Sequence, residues 1–469
     1  MVATSADAEW ALTEFGGAAL GDARRTERLV ELATVLGSRP QASLPQACED
    51  PARLKAAYRF FANDAIAPAA IVASHVQATL ARVETVERVL AVQDTTQLDW
   101  SAHAATTGLG MLSTERQRGL LAHTTLALTP ERVPLGLLAQ QTWTRPPEEA
   151  GKKHTRRARA IAQKESHKWL TSVQAVSAAK AACPQTHFIS VGDAEADVYD
   201  LFLLQRPAGV DLLVRAAQDR RLAEPDQQRL RAALAARPVA ATMTLAVPRQ
   251  GTRPARTATL AVHWQRVVLR PPKARASEGL PEVPVGAVWA TEVDAPAGVE
   301  PLDWLLLTTV PLHTAADALQ CLRWYACRWG IEVYHKILKS GCAIERRQLQ
   351  DVAHLQRCLA LFSVVAWRVL YATMLARVLP DAPCTALLEE GEWQALYCHI
   401  HQTTQLPPTP PALAQAVRWI AQLGGFLGRT RDGDPGVTVL WRGFQRLIDL
   451  TAMYHVFRPP PRPRYVGKD

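Results

Sequence analysis

The segment RWYACRWGIEVYHKILK, residues 323–339, decides the fold that the sequence predicts. Its polar side chains at offsets of 0, 3, 7 and 14 are Tyr325, Arg328, Glu332 and Lys339. We predict a long helical segment from about Ala315 to Lys339; at about 100° per residue these offsets fall within about 60° of one another, so the four side chains would line one face. Core-facing helices usually present apolar groups, and this face therefore needs phosphate, metal or ion-pair partners. The alternative is an exposed stripe of salt bridges between residues three or four apart.

Two aspartates stand where a metal site built on a sheet would need them. Asp94 follows the run VLAVQ and Asp193 follows FISVG, so the sequence predicts both carboxylates at strand ends. Neighbouring strands would bring them together, and Glu332 would add a third carboxylate from the helix. Hard divalent cations take such oxygen ligands, and two bound ions support phosphodiester cleavage. The alternative is that each aspartate only forms a turn or caps a helix.

The order of elements predicts a mixed α/β fold with helical ends. Helix-like texture fills residues 1–70, and short strand-like runs follow between residues 88 and 145. A helix and a further strand complete the core, which a β-rich insertion at about 238–310 interrupts. We therefore predict a helical N-terminal domain at 1–70, an α/β domain at 71–380 that contains the insertion, and a helical C-terminal domain at 381–469.

Composition favours a globular protein with an anionic partner. The 469 residues include 53 lysines and arginines against 44 acidic residues, a formal net charge of +9, and their 48% hydrophobic content excludes wholesale disorder. Eight cysteines without a CxxC pair suit a reducing compartment. The first residues show no signal-peptide pattern and no apolar run reaches about 18 residues, so we expect a soluble, cytoplasmic protein with no membrane partner.

Basic residues are concentrated in three places. A predicted helix near the N-terminus brings Arg24, Arg25 and Arg28 close together, since positions three and four apart share a face. The stretch 145–168 carries eight basic residues, and 247–275 carries seven with no acidic residue. Such clusters are typical of phosphate contacts. The alternatives are a solvated helix face for the first cluster and mere solubility for the others.

Three motifs together resemble one family. The spacing Tyr-x2-Arg-x3-Glu-x6-Lys is similar to the signature helix of bacterial insertion-sequence transposases of the DDE superfamily. QDTTQL around Asp94 and VGDAEADVY around Asp193 resemble that family's first and second catalytic aspartate motifs, in the same order and at matching separations. The resemblance covers nearly the whole chain. It departs at Leu120-Leu121, where members often carry an aromatic pair.

The resemblance implies a fold and a catalytic triad. The fold would be an RNase H-like core with a β-rich insertion, flanked by helical N-terminal and C-terminal domains. Asp94, Asp193 and Glu332 would bind two Mg²⁺ ions, for which Mn²⁺ is expected to substitute.

The resemblance also implies a set of DNA contacts. Tyr325, Arg328 and Lys339 would contact phosphates around the transposon end. Their side chains suit this role, because the arginine guanidinium binds phosphate through two N–H groups, lysine supplies a point charge and tyrosine donates a hydrogen bond. Arg215 would lie close to the same end, and Trp304 would stack on a flipped base. The alternatives are an ordinary edge arginine and a tryptophan packed in the core.

The implied reaction is cut-and-paste transposition. One strand is nicked by hydrolysis, the freed 3′ hydroxyl forms a hairpin on the opposite strand, and after resolution it attacks target DNA. The partners would be double-stranded DNA, as inverted-repeat ends and target, and a second copy of the chain. The N-terminal domain, with Arg24, Arg25 and Arg28, would recognise the ends, and the C-terminal helices would pair the subunits.

Two other functional hypotheses remain open from the sequence. The first is a silent DNA-binding descendant of a transposase, against which the complete triad argues. The second is an RNase H-type nuclease without strand transfer, which would have little use for the basic insertion or for Trp304. The segment Cys398–His401 offers thiol and imidazole groups for a metal, but with no second cluster we expect a surface loop there.

Overall fold

The computed structural model of the chain describes residues 5–114, 116–146, 161–223, 228–247, 255–429 and 432–458. Its packing divides the chain into two compact units. The α/β unit comprises residues 79–97 and 110–332, and the helical unit comprises residues 1–78, 98–109 and 333–469. The division into three domains at residues 70 and 380 stays a prediction. Packing alone places residues 1–78 and 333–469 in the same compact unit.

One sheet organises the α/β unit. Its strands are β1 (Arg88–Asp99), β2 (Gly110–Met111), β3 (Arg118–Leu128), β4 (Pro134–Trp143), β5 (His187–Gly192), β6 (Val210–Arg215), β7 (Ala241–Val247), β8 (Arg256–Leu269), β9 (Val283–Val293) and β10 (Asp303–Thr308). Their order is β2-β3-β1-β5-β6-β10-β9-β8-β7, and β4 pairs with β3. The antiparallel hairpin β3–β4 beside the parallel strands β1, β5 and β6 agrees with the mixed α/β core expected from the sequence and with the RNase H-like core that the family resemblance implies.

Apolar runs explain why the central strands form. Residues 89–92 of β1 and 188–191 of β5 are buried, as expected for parallel strands covered on both faces. The two strands pair from Arg88 opposite His187 to Val92 opposite Val191. One covering element is a helix at His167–Ala182, whose Val173, Val176 and Ala179 are buried. The register of β1 and β5 is thereby fixed up to Val92 and Val191, two residues before Asp94 and Asp193.

The β-rich insertion extends this same sheet. Strands β7 to β10 run antiparallel to one another, and β10 pairs with β6 from Leu306 opposite Arg215 to Thr308 opposite Leu213. Buried insertion residues such as Leu269, Ala287 and Leu305 join the core cluster that includes Trp169. The insertion is therefore a continuation of the catalytic sheet.

The α-helices of the described residues are α1 (Ser5–Phe15), α2 (Ala23–Ser38), α3 (Leu44–Cys48), α4 (Pro51–Phe61), α5 (Pro68–Val83), α6 (His167–Ala182), α7 (Tyr199–Leu203), α8 (Leu230–Ala235), α9 (Ala315–Ala326), α10 (Trp329–Lys336), α11 (Val352–Val378), α12 (Glu390–His401), α13 (Leu413–Leu423) and α14 (Val437–Phe457). The Asp22 side chain caps α2 by accepting from the Arg24 backbone N–H at 2.9 Å. Helix α11 is long and apolar enough to cross a membrane, but 78% of its most apolar window is buried inside the protein.

The predicted helical segment from about Ala315 to Lys339 is helical but interrupted. Helix α9 ends at Ala326, α10 begins at Trp329, and residues 337–341 form a π-helical turn. Gly330 lies so close to β3 that an added Cβ would be 3.0 Å from Leu128 Cδ1. Packing of α10 against the sheet thus overrides the sequence periodicity, and the polar side chains do not share one straight helix face.

Two smaller predictions also need correction. Asp94 lies inside β1, which continues to Asp99, although pairing of β1 with β5 ends at Val92. The segment Cys398–His401 is the last turn of α12 and no loop, and the His401 ring packs 5.1 Å from the Trp419 ring. Residues 147–160 of the basic stretch 145–168, and 248–254 of the second stretch, lie outside the described residues.

Candidate active site

The two aspartates are positioned by neighbouring parallel strands. Val92 pairs with Val191, so Asp94 and Asp193 each stand two residues beyond the last pair. Asp94 Oδ1 accepts a hydrogen bond from the Thr95 N–H at 2.8 Å. Asp193 Oδ1 accepts one from the Glu195 N–H at 2.9 Å and caps a short 3-10 turn. The strand register therefore brings both carboxylates to one edge of the sheet.

A glycine permits the turn that follows Asp193. A Cβ added at Gly192 would lie 2.5 Å from Ala196 Cβ and 3.3 Å from the Trp169 ring. Any larger residue would force the turn away from helix α6. Gly192 is thus a structural requirement for the Asp193 position.

Arg328 joins the third carboxylate to the first. Its Nη2 lies 2.5 Å from Glu332 Oε1, and its Nη1 lies 3.9 Å from Asp94 Oδ2. The Arg328 side chain is only 16% exposed, so solvent screens these contacts weakly. Helix α10 carries Glu332 in its first turn, one turn after Arg328. The guanidinium therefore lies within ion-pair distance of both carboxylates.

The charges of Asp193 and Glu332 both act on Asp94. Burial raises the pKa of Asp94 to about 6, and the negative charges of Asp193 and Glu332 add to this rise. The Thr95 N–H and the Arg328 cation oppose it. Burial likewise raises the pKa of Asp193. Carboxylates that disfavour one another's ionisation are typical of functional sites and of cation-binding sites.

An aromatic pair adjoins Arg328. The Trp304 and Tyr325 rings meet edge to face, with centroids 5.1 Å apart, and the Arg328 guanidinium lies 6.0 Å from the Tyr325 ring centre. Tyr325 is buried, and burial raises its pKa while the Arg328 and Arg215 cations oppose the rise. Arg215 is exposed and donates to the Asp303 carbonyl at 3.2 Å. The α/β unit thus gathers seven of the predicted site residues.

The remaining predicted site residues belong to the helical unit. Lys339 Nζ lies 3.9 Å from Glu345 Oε1. On α2, Arg24 is exposed, Arg25 donates to the Leu20 carbonyl at 2.9 Å, and Arg28 forms an ion pair with Glu31.

Lys168 is a site neighbour whose role the sequence did not reveal. Its Nζ lies 3.1 Å from Glu195 Oε2 and over the Trp143 and Trp169 rings, at 5.8 and 5.7 Å from their centres. Its charge opposes the rise that burial causes in the pKa of Asp193. In the sequence, Lys168 is simply the last residue of the basic stretch 145–168. No local pattern connects it with Glu195, which lies 27 residues later, after β5. It lines a cavity of about 300 Å³ together with Thr95.

The donor set fits a hard divalent cation. Asp94, Asp193 and Glu332 offer only carboxylate oxygens, the ligands that Mg²⁺ and Mn²⁺ prefer. Among the described residues, no three acidic, histidine or cysteine side chains lie close enough together to hold a metal ion in this conformation. Glu332 is directed instead towards Arg328.

Three family models match successive parts of the chain. The transposase DNA-binding model matches residues 7–66, the transposase DDE domain model matches 149–366, and the transposase Tn5 dimerisation domain model matches 364–455. The DDE match includes Asp193 and Glu332.

A solved structure is a distant likeness. The cryo-EM structure of the piggyBac transposase synaptic complex with hairpin DNA is 8% identical, covering 98% of this chain and 81% of that one, with a TM-score of 0.37. The family models, which agree with the RNase H-like sheet, decide the assignment. The chain belongs to the DDE transposases of insertion sequences, DNA-binding enzymes that dimerise and use divalent metal ions for phosphodiester hydrolysis and transesterification.

Proposed function

We propose that the chain catalyses cut-and-paste transposition at the inverted-repeat ends of its own element. The observation that carries the proposal is that Asp94 and Glu332 both lie within ion-pair distance of Arg328, while the charges of Asp193 and Glu332 act on Asp94. Three carboxylates with an arginine between two of them, in a chain that also matches a transposase DNA-binding model, suit a reaction at phosphodiesters. An RNase H-type nuclease would share the acids but would not need the aromatic pair Trp304–Tyr325 beside them.

Asp94, Asp193 and Glu332 would hold two Mg²⁺ ions, with Mn²⁺ as a substitute. Bound there, the ions would lower the pKa of an attacking water or hydroxyl and stabilise the leaving oxygen. The raised pKa of Asp94 supports this assignment. Burial and, to a smaller extent, the charges of Asp193 and Glu332 disfavour its ionised form, and a bound cation would favour that form.

Arg328, Tyr325 and Lys339 would bind the phosphates on either side of the scissile bond. Arg328 would exchange its contact with Glu332 for a phosphate, which its planar fork binds in two places. The Tyr325 hydroxyl would donate a hydrogen bond. These contacts orient the DNA strand so that the reacting atoms meet in line.

Trp304 would hold the base that leaves the duplex when the hairpin forms. Its half-buried ring is supported from one side by the Tyr325 edge contact, which fixes its plane. An aromatic platform offsets the stacking energy that a flipped base loses. Arg215, exposed on β6, would neutralise a phosphate of the same distorted strand.

The reaction would proceed by nicking, hairpin formation, hairpin resolution and strand transfer to target DNA. Two copies of the chain would act together, each cleaving the end bound by the other. The N-terminal helices, with Arg24, Arg25 and Arg28, would recognise the ends, and residues 381–469 would pair the subunits. The site of action would be the cytoplasm, on nucleoid DNA.

The test is a cleavage assay on linear DNA that carries the inverted repeats flanking the gene. Nicked and hairpin products that need Mg²⁺ and disappear in Glu332→Gln are the expected result. Glu300→Gln is the matched control, since Glu300 is an exposed glutamate of the same unit. If the unaltered protein binds the DNA in a gel-shift assay but does not cleave it, the result would favour a catalytically silent, DNA-binding descendant of a transposase.

A further inference from the structure

A second basic site lies in the α/β unit. A cleft of about 880 Å³ is lined by seven basic and three acidic residues. None of the catalytic or DNA-contact residues discussed above lines it. The arginine cleft, as we name it, is defined by Arg221, Arg229, Arg270 and Lys273.

Backbone hydrogen bonds hold three of these arginines side by side. Arg221 and Arg229 oppose each other in an antiparallel bridge. The Arg270 N–H donates to the Arg221 carbonyl at 3.0 Å, which brings the end of β8 alongside. Like charges directly opposite each other across paired backbone are destabilising. A fold that fixes them together gains most when an anion lies between them.

The acidic residues of the cleft are already engaged. Asp200 and Glu278 both accept from Arg275, and Glu278 has its pKa lowered chiefly by that contact. Asp219 Oδ1 accepts from the Arg231 backbone N–H at 2.9 Å. Asp200 and Glu278 therefore neutralise Arg275, and with seven basic against three acidic residues the cleft keeps an excess of positive charge.

The cations of the cleft differ in their partners. Arg229 donates to the Asp219 carbonyl at 2.7 Å, and Arg270 lies 3.7 Å from Glu282. Within the parts of the chain that the structure describes, no carboxylate lies within ion-pair distance of Arg221 or Lys273. Lys273 is exposed and Arg221 is half-buried, so one charge projects to solvent and the other lines the cleft.

We propose that the arginine cleft binds the phosphodiester backbone of a DNA segment other than the one in the active site. Forked guanidiniums beside a lysine are the groups that grip phosphate oxygens. The inference rests on the proposed function only in taking DNA as the ligand. The shared chemistry is a run of phosphates, which a transposon end or unrelated target DNA supplies.

The experiment measures binding of the full chain to two labelled duplexes of equal length, by fluorescence anisotropy over a range of salt concentrations without Mg²⁺. One duplex carries the inverted repeat, and the other has an unrelated sequence. The test variant is R221Q/K273Q, and R221K/K273R keeps both charges. The matched control R132Q/R237Q removes two exposed arginines of the same unit that lie outside the cleft.

We expect R221Q/K273Q to weaken binding at least tenfold and to reduce the slope of log K against log salt by about two, since each lost phosphate contact accounts for about 0.9. The control and the charge-keeping variant should match the unaltered protein. Loss on both duplexes would assign the cleft to general or target DNA, and loss on the inverted repeat alone would assign it to the transposon end.

Equal effects of R221Q/K273Q and R132Q/R237Q, or no effect of the former, would overturn the proposal. The thermal unfolding temperature of each variant shows whether weaker DNA binding comes from a lost phosphate contact or from an unfolded protein. If R221Q/K273Q does not fold, DNA binding is measured with the two single variants R221Q and K273Q. Cleavage by the unaltered protein is measured separately. Its absence would count against the proposed function and leave the binding result standing.

Discussion

Arg328 donates from Nη2 to Oε1 of Glu332 at 2.5 Å, one helical turn away, and the same guanidinium reaches within 3.9 Å of Asp94. The residue proposed to bind phosphate therefore neutralises the carboxylate proposed to bind metal. A cation and a guanidinium compete for the same oxygen. Metal binding and the release of Arg328 towards DNA are then coupled.

This coupling predicts that Arg328→Ala binds Mn²⁺ more tightly than the unaltered protein when DNA is absent. A charge-assisted hydrogen bond contributes about 1.5 to 3 kcal/mol, so an increase of about tenfold is expected. Isothermal titration calorimetry measures it. Arg323→Ala, an exposed arginine on α9, is the control. Weaker Mn²⁺ binding by Arg328→Ala would mean that the guanidinium organises the carboxylates and does not compete with the ion.

Trp304→Ala should separate two steps of the reaction. Nicking depends on the carboxylates, whereas hairpin formation needs the aromatic platform, so nicked DNA should accumulate and hairpin should fall at least tenfold. Denaturing gels over a time course resolve the two products. Trp304→Phe keeps a ring against Tyr325 and should restore part of the hairpin. Proportional loss of both products would show a structural role only.

Asp211 predicts a pH-dependent contribution to stability. Its carboxylate accepts from Thr309 Oγ1 at 2.7 Å and contacts His187 Nε2 at 2.8 Å. Burial by itself raises the pKa of Asp211, but these hydrogen bonds outweigh it and the pKa is lowered. A lowered folded-state pKa stabilises the protein above the unfolded value of about 4, and the contribution disappears as the pH falls through the folded value.

Asp211→Asn should therefore reduce the free energy of unfolding by about 1 kcal/mol at pH 7, and by less as the pH falls below about 4. Urea unfolding at several pH values measures the difference. Exposed Asp294→Asn provides the comparison. A difference between Asp211→Asn and the unaltered protein that stays constant down to pH 3 would contradict the assignment.

The end of α14 predicts a contribution to dimerisation. Val456 and Phe457 are 69% and 78% exposed, directly after the region that matches the dimerisation model. Exposed apolar groups at such a position are typical of subunit contacts. The variant V456D/F457D should raise the dimer dissociation constant at least tenfold in analytical ultracentrifugation. Leu12→Asp, which alters a 61% exposed leucine of α1, should leave it unchanged; an equal effect would remove the assignment.

Much of the fold followed from local patterns. The runs around Val89–Val92 and Phe188–Val191 predict strands because most of their residues are apolar, β-branched or aromatic. Asp22 before an amphipathic run predicts the start of α2, since its side chain satisfies a free backbone N–H. These features depend on residues a few positions apart, which a sequence displays directly.

The remaining features depend on distant contacts. Gly330 fits against Leu128, and this packing, which no periodicity encodes, accompanies the break between α9 and α10. Arginines of the basic stretch 247–275 find acids on other elements: Arg256 pairs with Glu292, and Arg275 with Asp200. Local charge counting therefore overestimated how many cations are free for phosphate.

The central claim is that Asp94, Asp193 and Glu332 act as one catalytic unit. The most direct measurement is the single-turnover nicking rate on inverted-repeat DNA for D94N, D193N, E332Q and the triple variant, with DNA binding measured alongside. We predict that each single substitution lowers the rate at least about a thousandfold with DNA binding retained, and that the triple variant is no slower, because groups that act together are not additive. A single variant that binds DNA and nicks within tenfold of the unaltered protein would contradict the account.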